Sequence, residues 1–135
     1  MKYLFSILLI TVFISFCTKQ PTQGDSSTIP SSLTTISQGT FSNGVHNVSG
    51  AVKLASDGAG KKYLVFTDLK TEAGPDIRIW MATSKDGSNY SEISSTVKVG
   101  SYALEVPGSV DTNSKKFVLV WCKQFSVLFG SAQLN

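Results

Sequence analysis

The sequence predicts an all-β fold: a small antiparallel β-sandwich or closed barrel of about eight strands, behind an export signal and a disordered tether. Three observations carry this expectation. The composition is rich in Ser, Thr, Val and Gly and poor in helix formers, which favours half-buried strands and turns. Apolar residues recur with a period of two in short runs, the spacing of a strand that buries one face. Turn residues separate those runs at regular intervals, and no segment of helical length keeps a helical period.

The chain has 135 residues, room for one domain plus accessory segments. Residues 1–16 read as a lipoprotein signal peptide. Lys2 is its positive head, and Tyr3 to Phe16 is apolar apart from Ser6, Thr11 and Ser15. This run is shorter than the ~20 residues of a membrane-spanning helix and suits a signal peptide. Ile14-Ser15-Phe16-Cys17 resembles a bacterial lipobox, with Phe16 where a small residue is usual. Cys17 then becomes the mature N-terminus and carries acyl chains such as palmitate, each buried methylene contributing about 0.8 kcal/mol of anchoring. The alternative is an uncleaved signal anchor with Cys17 as an ordinary apolar residue. Both readings put the domain on the exported side of a bacterial cell envelope. Residues 17–38 comprise the lipidated Cys and a flexible tether. Pro21, Gly24, Pro30 and many Ser, Thr and Gln residues leave too little apolar surface to offset ordering entropy,.

The domain is expected over residues 39–135. Val48, Gly50, Val52 and Leu54 share one parity, and Ser56-Asp57-Gly58-Ala59-Gly60 is a turn,. Tyr63-Leu64-Val65-Phe66 is a continuous apolar run, ended by Ala73-Gly74-Pro75. Ile77, Ile79 and Met81 alternate with Asp76, Arg78 and Trp80, and Asp86-Gly87 marks the next turn,. Val97 to Val106 alternates through Tyr102 and Leu104 and stops at Pro107-Gly108. Phe117 to Cys122 is the most hydrophobic run and should be the most buried strand. Phe125, Val127 and Phe129 alternate again, and Gly130 precedes a short last strand through Ala132 and Leu134.

Charge narrows the function. The net charge is +3, from 12 basic and 9 acidic residues, with no basic stripe of the kind that nucleic-acid binding requires. There is no Cys-x-x-Cys for a dithiol and no Cys-x-x-Cys-His for covalent haem,. One Cys and one His in the domain give no zinc spacing,.

The run Phe117-Val118-Leu119-Val120-Trp121-Cys122-Lys123-Gln124-Phe125-Ser126-Val127-Leu128-Phe129-Gly130-Ser131-Ala132-Gln133-Leu134 closely resembles the DM-thirteen domain family, which often accompanies DOMON domains. Gly39-Thr40-Phe41, His46-Asn47-Val48-Ser49-Gly50 and Gly74-Pro75-Asp76-Ile77 with Trp80 fit the same family in order. The resemblance spans Gly39 to Leu134; between Val97 and Pro107 the chain is shorter than typical members. It implies an electron-transfer module with its recurring Cys at Cys122, either as a bare redox thiol or as a thiolate ligand to a prosthetic group such as haem.

The residues themselves leave alternatives open. Cys122 shares parity with Val118 and Val120, as a small core residue would,. With Cys17 acylated it is also the odd thiol of an exported protein, and Lys123 would lower its pKa if both reached one surface. His46 is the only His: a structural residue, or a partner or axial ligand beside Cys122. Asp76 suits a turn cap, and Trp80 and Trp121 suit core or sheet-face packing. The expectation is an envelope-anchored redox accessory domain rather than an independent enzyme, with the membrane and a redox partner protein as its partners. The alternative is a non-catalytic binding or adhesion module at the cell surface.

Overall fold

A computed structural model describes residues 29–135. The signal segment, Cys17 and the tether up to residue 28 lie outside the described residues. Nine strands follow in order: β1 (Thr34–Thr40), β2 (Ser42–Asn43), β3 (Val48–Ser56), β4 (Lys62–Thr71), β5 (Ile77–Ala82), β6 (Ser91–Ser94), β7 (Gly100–Val106), β8 (Phe117–Cys122) and β9 (Val127–Gln133). They form two antiparallel sheets, β1-β3-β4-β7 and β2-β9-β8-β5-β6. The predicted all-β sandwich is the fold.

The expected parity builds the core. Val52, Leu54, Leu64 and Phe66 from one sheet meet Ile79, Met81, Val118, Val120 and Cys122 from the other, all fully buried. The apolar run at β8 lies between β5 and β9, the central position its composition demands. In β4 the parity flips between Phe66 and Leu69, both buried, because a bulge shifts the register there. Gly50 of β3 faces that bulge at φ 111°, and a Cβ on it would lie 2.6 Å from the Asp68 carbonyl oxygen. Only glycine accepts both the backbone angle and the approach.

The chain changes sheets at Phe41, which is buried at the corner between β1 and β2 and donates its N–H to the Gly50 carbonyl at 2.9 Å. Reciprocal backbone bonds between Gln38 and Asn135, 3.1 and 3.0 Å, stitch β1 to the segment after β9. Here the strands cross so closely that a Cβ on Gly39 would fall 2.2 Å from the Gln133 carbonyl oxygen.

Three boundaries differ from the sequence reading. Among the described residues the first strand begins at Thr34, not Gly39: Thr34 to Gln38, read as tether, pair with β3. This edge strand buries Ser37 and exposes Ile36, so its hydrophobic pattern is inverted and its backbone pairing holds it. The alternation from Val97 resolves into a loop and a strand starting at Gly100. The last two expected strands are one, β9, and Phe125 lies exposed in the turn before it.

Candidate functional site

Four loops meet at one end of the sandwich: 44–47, 72–76, 95–99 and 123–126. The ladders put them there. Val48 pairs with Thr71, Cys122 pairs with both Ile77 and Val127, and Gly100 pairs with Leu69. Gly44 and Val45 donate their N–H groups to the carbonyls of Phe129 and Leu128, at 2.7 and 3.0 Å. Every residue singled out around the thiol, His46, Asp76, Cys122 and Lys123, therefore sits at this end.

Cys122 is the last residue of β8 and is a free, fully buried cysteine. It lies on the core face with Val118 and Val120, in the same cluster as Phe129. Above it the chain turns through residues 123–126, where the Lys123 N–H bonds the Asp76 carbonyl at 2.9 Å and Ser126 adopts φ 53°. Lys123 is exposed while the thiol is buried, so the two do not reach one surface.

His46 is likewise not brought to the thiol. Its Nδ1 lies 2.8 Å from Glu72 Oε2, and its ring packs on Phe129 with centroids 3.9 Å apart. The other Glu72 oxygen accepts the Asn47 backbone and side-chain N–H groups, both at 3.0 Å. Asn43 accepts the Val48 N–H at 2.9 Å. The network clips loop 44–47 to loop 72–76. The bonds from Asn47, and then from His46, hold the Glu72 carboxyl below the ordinary carboxylate range. A carboxylate with a lowered pKa contributes stability that is complete above its unfolded value and is lost as pH falls through its folded value. Acidification is therefore expected to loosen this clip before the sandwich unfolds. Amide hydrogen exchange at Asn47 across an acid titration checks this: protection should fall in wild type and be low at all pH values in Glu72→Gln.

Asp76, expected to cap the turn, has its carboxylate held by the Arg78 side chain. Its carboxylate takes Arg78 Nε at 2.7 Å and Nη2 at 3.2 Å, while Arg78 Nη1 reaches both Glu92 oxygens at 2.9 Å. Arg78 lowers the Asp76 pKa, and Asp76, then Glu92, raises that of Arg78. The Asp76, Arg78, Trp80 parity of the polar face of β5 was visible in the sequence. Glu92, supplied across the β5–β6 pairing, and Glu72 were not, because nothing local marks them.

The end is also apolar at its tips. Val45, Val99 and Phe125, from three of the four loops, are 67%, 67% and 63% exposed. Pro75 and Val97 line a groove with Val99 between loops 72–76 and 95–99.

Haem does not fit this arrangement. The thiol is sealed in the packed core, and the main surface grooves are lined by other residues than Cys122 or His46. Among the described residues no cluster of three or more His, Cys, Asp or Glu is placed to hold a metal ion.

Residues 40–134 match a family model described as electron transfer DM13. Comparison with curated proteins and with solved structures gave no match.

Proposed function

The chain belongs to the electron transfer DM13 family, and from that premise we propose that it is an envelope-anchored redox accessory domain working through a guarded thiol, Cys122. The observation that carries this is the position of Cys122: free, fully buried, and at the very end of its strand beneath the 123–126 turn. Thiol–disulfide exchange needs a thiolate in line with the disulfide it attacks, so the closed fold protects the sulfur. Opening the turn would release it without disturbing the central ladder, since chain segments next to turns open at lower cost than core strands.

In the open form the thiol loses its proton to water, and the thiolate attacks a disulfide of the partner protein. One S–S bond breaks as the mixed S–S bond forms, and the partner's second sulfur leaves as a thiolate that takes up a proton. Loop tips Val45, Val99 and Phe125 offer the partner an apolar surface around this point,. A second reading, a binding module with an inert thiol, draws on the same apolar tips.

The test is exchange with a chromogenic aromatic disulfide in native buffer. Release of one equivalent of chromophore per chain, abolished by Cys122→Ser, is the expected result. Release only in denaturant favours the binding module.

Attachment is tested separately. Cys17→Ala should abolish fatty-acid labelling and release the protein from the membrane fraction or leave its signal uncleaved. Labelling that persists in this variant rules the site out.

A further inference from the structure

The outer face of the five-stranded sheet carries a group that the thiol chemistry does not use. Trp80 of β5 stacks on Trp121 of β8, with centroids 5.1 Å apart and planes 18° apart, and on Tyr90, at 3.7 Å and 11°. Trp80 is buried and Tyr90 is 46% exposed, so the stack runs from the sheet face to solvent. The loop between β5 and β6 is held down over it. Lys115, itself buried, donates to the Asn89 carbonyl and, at 3.0 Å, to Asn89 Oδ1, next to Tyr90.

The charge beside the stack is also organised. Trp80 Nε1–H points at Glu92 Oε2, 3.4 Å away. Glu92 and Asp76 share one guanidinium, Arg78. The Glu92 carboxylate is therefore the charge that lies directly at the edge of the indole, while Asp76 is matched by Arg78 and Lys123.

We propose that Tyr90, Trp80 and Trp121 form a one-electron relay, and that Trp80 is the member that carries the positive charge. The inference rests on the electron-transfer reading of the domain and not on chemistry at Cys122. Tunnelling weakens steeply with distance, so rings in van der Waals contact couple far better than separated ones. Indole and phenol are the most oxidisable aromatic side chains. Negative charge beside a buried ring stabilises a cation there more than it would in water.

The step needs a high-potential one-electron oxidant, such as a high-valent metal centre of a partner. The oxidant gains one electron, the stack loses one, and no bond between heavy atoms breaks. The Nε1 proton stays on Trp80, hydrogen-bonded to Glu92 Oε2. A one-electron donor, for example a partner's thiolate, then returns the electron and restores neutral indole.

The experiment is flash photolysis of the full chain in mild detergent, with a photo-oxidised ruthenium polypyridyl complex as the oxidant. Transient absorption separates the indole radical cation from its deprotonated form. Wild type should give a persistent cation. Glu92→Gln, which keeps the shape and removes the charge, should shorten its lifetime several-fold, and Tyr90→Leu should lower its yield several-fold. Trp80→Phe should remove it. Should Trp80→Phe fail to fold, the other two variants decide, because Tyr90 and Glu92 lie outside the core. Yield and lifetime unchanged across Glu92→Gln and Tyr90→Leu would overturn the relay and leave the stack as packing alone. The same measurement in Cys122→Ala should retain the cation. A lost relay with intact thiol exchange therefore refutes the relay alone, and intact photochemistry with a silent thiol refutes the thiol chemistry alone.

Discussion

Phe66→Ala is expected to lose about 3–5 kcal/mol of stability, the range for removing a buried aromatic ring from a packed core. Phe66 is fully buried near the middle of β4, with its ring 4.7 Å from that of Tyr102 and 6.2 Å from that of Phe41. Phe41 is the corner where the chain changes sheets, so this one ring supports both the β4–β7 pairing and the crossover. Small domains have only about 5–15 kcal/mol in total, so the variant should sit near its folding limit at room temperature. Urea denaturation checks it. The midpoint should fall steeply with little change in slope. A loss below about 1 kcal/mol would mean that the two sheets collapse onto the vacancy, which the close packing around Phe66 opposes.

The second large effect is expected on the opposite face. Trp80→Ala should cost about 3 kcal/mol, the low end of the range for buried aromatics, because water can reach part of the space vacated. The ring covers Leu119 and Ala82, both fully buried in the outer cluster, and is the surface on which Tyr90 and Trp121 stack. The loss should be local as well as global. With its floor gone, loop 83–90 should lose protection at Tyr90 while the amides of β3 and β4 keep theirs relative to the new global stability. Hydrogen exchange read residue by residue separates the two. Equal loss at all sites would mean that the outer cluster and the inter-sheet core unfold as one unit.

The inner face of this fold was legible because its strands obey period two over whole segments. Val52 and Leu54, Ile79 and Met81, and Val118 and Val120 follow their expected parity into the core. What escaped sequence reading lacks that signal for physical reasons. β1 is an edge strand whose backbone bonds, not its side chains, set its place, so Thr34 to Gln38 look like tether. β2 and β6 are too short to show a period. Leu69 changes parity because of a bulge that no local residue announces.

The site was legible in part. Cys122 stood out as the domain's lone thiol, and both its core parity and its place on the most hydrophobic strand were visible. Its distance in chemistry from His46 was not, because it depends on Glu72, twenty-six positions along the chain from His46, reaching the imidazole first. Tyr90 gave no sign of its partner either, since a ring in a loop can meet a strand residue only through the fold.

The most direct measurement is the rate at which Cys122 is alkylated in its native fold as urea is raised from zero. Rates limited by global unfolding rise steeply with urea throughout, because the whole buried surface is exposed. A thiol freed by opening of the 123–126 turn reacts through a small exposure, so its rate is nearly independent of urea until global unfolding takes over. A guarded thiol predicts that flat limb, with native-buffer alkylation well above the value extrapolated from global unfolding. Alkylation that follows global unfolding at every urea concentration would contradict it and make Cys122 a packing residue of the core.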